Sequence, residues 1–205
     1  MENGHRAFRD ATGLKNDIVF EENLLGNRVV FHSTWGLFSP TAIDEGSRLL
    51  LGNLELMPDD KVLDIGCGYG ALGVSIAKAI PNGFVQMVDR DFVAVDYANK
   101  NAEVNGALNC EINLSNGFSN VPRDQKFSLI ISNLPAKVGK ELFWIFLEDA
   151  KEHLLPGGRI YVVTISGLRE FIKRNFREFF GNYEKVKQGR SYTVARAVMG
   201  KRDDV

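Results

Sequence analysis

The stretch Val62-Leu63-Asp64-Ile65-Gly66-Cys67-Gly68-Tyr69-Gly70-Ala71-Leu72-Gly73 sets one carboxylate two residues ahead of three alternating glycines. Glycine has no Cβ, so such a loop turns sharply and lets a ligand approach its backbone. Gly68, Gly70 and Gly73 also fit the dinucleotide pattern G-x-G-x-x-G, which alone is a weak signal. Asp64 helps to decide between ligands. A pyrophosphate seeks N–H groups at a helix N-terminus, and a carboxylate beside it repels it. S-adenosylmethionine has no phosphate, and a carboxylate attracts both its sulfonium and its ammonium. Acid and loop together favour this cofactor over NAD.

Three more strand tips carry chemistry. Asp89 ends the next apolar run, where a carboxylate can accept both ribose hydroxyls. Arg90 follows it, with a stem long enough to cover an adenine. Leu114-Ser115-Asn116-Gly117-Phe118 offers Asn116 to the adenine amino edge and Phe118 to its ring; the same residues also make an ordinary Asn-Gly turn. Leu129-Ile130-Ile131 runs into Ser132-Asn133-Leu134-Pro135, so an apolar strand stops on an amide side chain and a proline. His5, His32 and His153 are isolated in sequence, and His153, late in a helix, reads as a cap or surface residue.

The elements that must position these groups alternate. Residues 17–33 read as a hairpin around a Gly26-Asn27 turn. A helix follows, with Ser39 as its N-cap, Pro40 in its first turn and Gly52-Asn53 at its end. From Lys61 the pattern predicts strands at 61–65, 84–88, 110–114, 127–132 and 160–165, with helices at 71–80, 92–104, 140–154 and 168–179. Pro156-Gly157-Gly158 reads as a turn, and 183–187 with 191–198 as a final antiparallel pair. This is an α/β protein: a Rossmann-like, mostly parallel seven-stranded sheet with helices on both faces, a C-terminal antiparallel hairpin and an N-terminal β-hairpin. Ligands of such sheets bind at the carboxyl ends of the strands.

With 205 residues and 44% apolar content the chain suits one domain. The expected organisation is an extension over residues 1–35, a main domain over 36–200 and a tail over 201–205. No apolar run approaches a membrane span, and the polar start MENGHRAFRD has no signal-peptide core. Cys67 and Cys110 do not suggest a disulfide framework, so a cytoplasmic setting is expected. No metal is expected. Net charge is −1, but residues 169–205 carry 10 Lys/Arg against 5 Asp/Glu. Such a basic third can meet phosphates or form a solvated helix face.

Together these residues resemble the class I S-adenosylmethionine-dependent methyltransferases. More narrowly they resemble the small-domain methyltransferases, which include bacterial enzymes that methylate guanine N2 in small-subunit ribosomal RNA. Gly36-Leu37-Phe38-Ser39 is similar to the family's G-V-F-S entry. The loop 64–70, the pair Ser115-Asn116, Gly189-Arg190 and Arg196-Ala197-Val198-Met199 are similar to later motifs. The family's N-P-P-F motif reads here Asn133-Leu134-Pro135-Ala136 and departs at two positions. The resemblance implies a cofactor site of Phe38, Asp64, Gly66, Cys67, Gly68, Gly70, Asp89, Arg90, Asn116, Gly117, Phe118 and Asn133. It implies catalysis by Asn133, Leu134 and Pro135: Asn133 Oδ1 and the Leu134 carbonyl accept the two hydrogens of an aryl amine, and Pro135 fixes the turn. Ala136, Lys137, Lys140 and Arg190 would meet the substrate, expected to be RNA. The ring missing at Ala136 leaves Trp35, Phe38 and Phe118 as candidate stacking residues or core. The alternatives are a protein-amide or small-molecule methyltransferase, and a noncatalytic RNA-binding module.

Overall fold

The computed structural model describes residues 17–135 and 139–200. Strands β1 (Ile18–Leu24) and β2 (Asn27–Ser33) form a separate antiparallel hairpin. Its turn is Leu25-Gly26, one residue earlier than the sequence suggests, with φ of 50° and 79°. A two-residue turn of this hand needs positive φ at both positions, and Leu24 pairs with Asn27 across it.

Helix α1 (Glu45–Leu51) starts later than expected. Ser39 does not cap it: Ser39 lies in the left-handed region at φ 47°, with its hydroxyl donating to the Ala42 carbonyl. Asp44 is the N-cap instead, accepting from Gly46 N at 2.9 Å and Ser47 N at 3.2 Å. A short carboxylate two and three residues before these donors satisfies two orphan N–H groups, which a serine behind Pro40 cannot reach.

The main sheet then follows in order: β3 (Lys61–Ile65), α2 (Ala71–Ala79), β4 (Phe84–Asp89), α3 (Phe92–Val104), β5 (Cys110–Leu114), β6 (Phe127–Asn133), α4 (Lys140–His153), β7 (Leu154–Ile165), α5 (Arg169–Phe180), β8 (Glu184–Gln188) and β9 (Tyr192–Val198). The seven strands lie in the order β5-β4-β3-β6-β7-β9-β8. The first five are parallel, and β9 runs antiparallel to both neighbours. The expected turn at Pro156-Gly157-Gly158 is part of β7, which bulges opposite Phe127 and Leu129. Gly157 takes φ 78° there and its N–H bonds the Met199 carbonyl, so the distortion is absorbed by glycine rather than ending the strand.

Both faces of the sheet are buried, and alternate residues feed different cores. Val62, Leu129 and Ile131 point with Met87 and Tyr161 toward the hairpin, α1, α2 and α3. Leu63 and Ile130 point with Val88 toward Phe143, Leu147 and Phe176 of α4 and α5. Continuous apolar runs therefore read as central strands.

Two polar devices fix the frame. Asn101 on α3 and Asn105, its C-cap one turn later, act as a substitute strand for β2. Asn105 bonds the N–H and C=O of Val30, at 2.9 and 2.6 Å, and Asn101 those of His32, at 2.7 and 2.8 Å. Asn101 Nδ2 also reaches the Tyr69 carbonyl at 2.8 Å, which ties the hairpin to the glycine loop. Near the amino ends of the strands, buried Asp60 accepts two bonds from Arg159, at 2.6 and 2.7 Å, and another from Ser128 Oγ at 2.6 Å.

Candidate active site

The strand order reverses at β3, with β4 on one side and β6 on the other. The tips of these three strands carry Asp64, Asp89 and Asn133, so the fold brings them to one cleft. The glycine loop folds back over β4: Gly66 N and Cys67 N both donate to the Val88 carbonyl, at 2.8 and 3.1 Å. Gly66 and Gly68 hold φ of 75° and 57°, and a Cβ at either would meet nothing within 4 Å. The loop thus presents bare backbone to open space, as a cofactor cradle requires. Gly73 has another role, since its Cβ would stand 2.3 Å from Met87 Sδ; it lets α2 lie close on the sheet.

Asp64 is fully buried. Its Oδ2 accepts from Gly73 N at 3.0 Å, holding the first turn of α2. Its Oδ1 has no partner among the described residues. Burial pushes the Asp64 carboxyl up to about 7, the Gly73 bond opposes this, and the nearby charge of Asp89 adds to it. An orphaned, hard-to-ionise carboxylate beside an open glycine cradle fits a cationic ligand, which would favour its charged form.

Asp89 already has two partners: Oδ2 accepts from Gly68 N and Oδ1 from Asp91 N, each at 2.9 Å. Its oxygens keep lone pairs for two hydroxyls, and Arg90 beside it is exposed. Asn116 is exposed on a turn tied to β4 by Ser115 N and the Asp89 carbonyl at 2.8 Å, and Gly117 takes φ 59° in that turn.

Phe118 is different. Its ring is buried, stacks on His153 at 5.1 Å between centroids and packs near Phe146, so the structure assigns it to the core rather than to a base. His153 is likewise neither a cap nor a surface group. It is buried between Phe118 and Phe127, with Nδ1 at 2.8 Å from the Gln125 carbonyl. Cys67 is also in the core, where burial pushes its thiol well up and leaves it unreactive.

Trp35 and Phe38 do not join the core: 71% and 65% of their surfaces are exposed. They ride on the segment between β2 and α1, which is bent by Gly36 at φ 103° and Ser39. The Tyr69 hydroxyl anchors that segment to the glycine loop through the Ser39 and Ala42 carbonyls, at 3.3 and 3.4 Å.

At the tip of β6, Asn133 Nδ2 donates to both carboxylate oxygens of Asp44, at 3.2 and 3.1 Å, and to Ser47 Oγ at 3.0 Å. A carboxylate only accepts, so this fixes which end of the amide is which. Asn133 Oδ1 takes no hydrogen bond among the described residues. Leu134 N bonds the Val163 carbonyl at 3.0 Å, its side chain is buried, and Pro135 is exposed. Ala136, Lys137 and the side chain of Lys140 lie outside the described residues. Arg190 is exposed in the β8–β9 turn; because Tyr192 pairs with Ile165, this turn lies at the same end of the sheet. Asp44, Ser47 and Tyr69 were not singled out from sequence; Asp44-Glu45-Gly46-Ser47 carries only a capping signal. Among the described residues no His, Cys, Asp and Glu cluster suits a metal, and no helix is long and apolar enough to cross a membrane.

This fold and cleft define a class I methyltransferase. A model of the methyltransferase small domain matches residues 28–196, and the chain belongs to that family. The family depends on S-adenosylmethionine, as the glycine loop and Asp64 led one to expect. An uncharacterized Bacillus subtilis (strain 168) protein, YbxB, is 35% identical over 170 residues, covering 82% of this chain and 84% of that one. Ribosomal RNA small subunit methyltransferase C of Hamiltonella defensa is 31% identical, over 80% of this chain and 48% of its own. A solved Thermus thermophilus 16S rRNA N2 G1207 methyltransferase, in complex with AdoMet and guanosine, superposes with a TM-score of 0.79 at 29% identity. That match covers 88% of this chain and 50% of the other. The chain thus spans about half the length of these ribosomal RNA methyltransferases.

Proposed function

We propose that the chain methylates an exocyclic amine of RNA, guanine N2 in ribosomal RNA. The observation that carries this reading is Asn133: a strand-tip amide whose nitrogen is held by Asp44 and Ser47, leaving the oxygen as acceptor. The likeness to an N2 guanine methyltransferase that binds guanosine supports the base, and the basic residues 169–205 support a phosphate-bearing substrate.

When bound, S-adenosylmethionine supplies an electrophilic methyl group on a charged sulfur. Asp64, the backbone of Gly66, Gly68 and Gly70, Asp89, Arg90 and the Asn116-Gly117 turn would hold it. An aryl amine is a weak nucleophile because its lone pair is drawn into the ring. Asn133 Oδ1 and the Leu134 carbonyl accept its two hydrogens and turn that lone pair outward. Alignment of this kind supplies roughly 7–11 kcal/mol of a displacement barrier, so no strong base is needed. Pro135 stiffens the turn carrying the second acceptor. The target base has to leave its stack, and Trp35 and Phe38, exposed on the segment that Tyr69 ties to the glycine loop, offer rings to receive it.

Incubation with labelled cofactor and total RNA, total protein or small-molecule extract tests the substrate. Label is expected in RNA; label only in protein or only in small molecules would overturn it. Asn133→Ala should keep cofactor binding and lose transfer, and full activity in this variant would refute its role.

A further inference from the structure

Asp44 stands 89 residues from Asn133 in sequence, yet it makes two of the three contacts to the Asn133 amide nitrogen. It simultaneously caps α1 through Gly46 N and Ser47 N. The cap uses Oδ1, so Oδ2, at 3.1 Å from Asn133 Nδ2, has no other partner among the described residues. An asparagine amide has an acceptor end and a donor end of nearly the same shape. Nothing in β6 itself decides which end faces the cleft. Ser47 cannot decide it either, because a hydroxyl can donate or accept. Only a carboxylate, which cannot donate, forbids the flipped amide.

We propose that Asp44 is a positioning residue for methyl transfer: it locks the Asn133 amide with Oδ1 toward the substrate amine. This rests on the reading of Asn133 as the amine's acceptor. The segment that carries Asp44 also carries Trp35 and Phe38 and is anchored on the glycine loop by Tyr69. One segment thus sets the acceptor, presents the exposed rings and touches the cofactor loop.

The test exchanges the two partners. Asparagine caps helices about as well as aspartate, so Asp44→Asn should fold and bind S-adenosylmethionine normally. Its Oδ1 keeps the α1 bonds, and its Nδ2 then confronts the Asn133 nitrogen. Rotating the Asn133 amide resolves the clash, since Asn133 Oδ1 can accept from both that nitrogen and the Ser47 hydroxyl. A donor would then face the substrate amine, so kcat should fall on the order of 100-fold, as when one preorganised transition-state contact is lost. KM for RNA should change little.

Asn133→Asp alone sets two carboxylates together and should also be impaired. The double exchange Asp44→Asn with Asn133→Asp restores a donor facing an acceptor and leaves an acceptor toward the amine. It should recover at least tenfold over either single change, whereas two independent structural defects would add. Wild-type kcat in Asp44→Asn, or no recovery in the exchange, would overturn the proposal while leaving the methyltransferase reading in place. An inactive wild-type protein would instead count against the function. The orientation is then decided by hydrogen exchange of the Asn133 side-chain amide. Slow exchange that becomes fast in Asp44→Asn supports the lock, and equal exchange in the two proteins refutes it.

Discussion

Asp64 should make cofactor binding depend on pH. The carboxyl is completely buried, and its pKa is raised from 3.8 to about 7, chiefly by burial. A raised folded pKa means that the folded protein keeps the proton while the unfolded chain has released it. The stability contributed by this proton is therefore fully present below pH 3.8 and is lost as pH rises toward 7. A gap of about three pH units corresponds to about 4 kcal/mol. A bound cation favours the ionised form, so binding must expel the proton below pH 7. The affinity for S-adenosylmethionine should then rise up to about tenfold per pH unit from 5.5 to 7. Calorimetry at pH 6 in buffers of different ionisation enthalpy should detect about one proton released. In Asp64→Asn both effects vanish. The cofactor-free variant should also gain stability relative to the parent as pH rises from 4 to 7, by up to about 4 kcal/mol, and no further above 7. Urea titrations across this range read that slope, which does not depend on any constant effect of the new amide. A flat affinity with no proton release would refute the pairing of Asp64 with a cationic ligand.

Two other perturbations probe different parts of the molecule. Arg159→Met strands buried Asp60 without its guanidinium partner and should cost about 3–5 kcal/mol in urea unfolding; a loss below about 1 kcal/mol would show that Ser128 Oγ and the Met57 N–H, which donates to Asp60 Oδ2 at 2.8 Å, suffice. Trp35→Ala should weaken RNA binding by about 1–3 kcal/mol, the value of one base stacked on an aromatic ring. It would appear as a higher KM for RNA with unchanged cofactor affinity, and an unchanged KM would leave Trp35 without this role.

Strands and helices from Lys61 to Val198 were legible in the sequence because their signals are local. Apolar runs bounded by glycine, asparagine and proline mark strands buried on both faces, whereas the order in which those strands lie in the sheet comes only from the fold. Asp64, the glycine loop, Asp89 and Asn133 were legible for the same reason: each sits directly after such a run. Boundaries failed where a side chain from elsewhere in the chain, or one flexible residue, decided them. Ser39 looked like a helix cap, but the helix waits for Asp44, which also bonds Asn133. Pro156-Gly157-Gly158 looked like a turn, but Gly157 carries β7 through it as a bulge.

What only the tertiary structure decided is how the groups at the strand tips are oriented and which aromatic rings are free. Phe118 and Phe38 are the same residue type next to comparable turns. One is covered by His153, from a helix 35 residues downstream, and the other is left in solvent. Sequence placed an amide at the end of β6. The direction in which that amide points is set by a carboxylate 89 residues away. Hydrogen bonds act over about 3 Å of space whatever the separation along the chain, and only folding brings that carboxylate within reach.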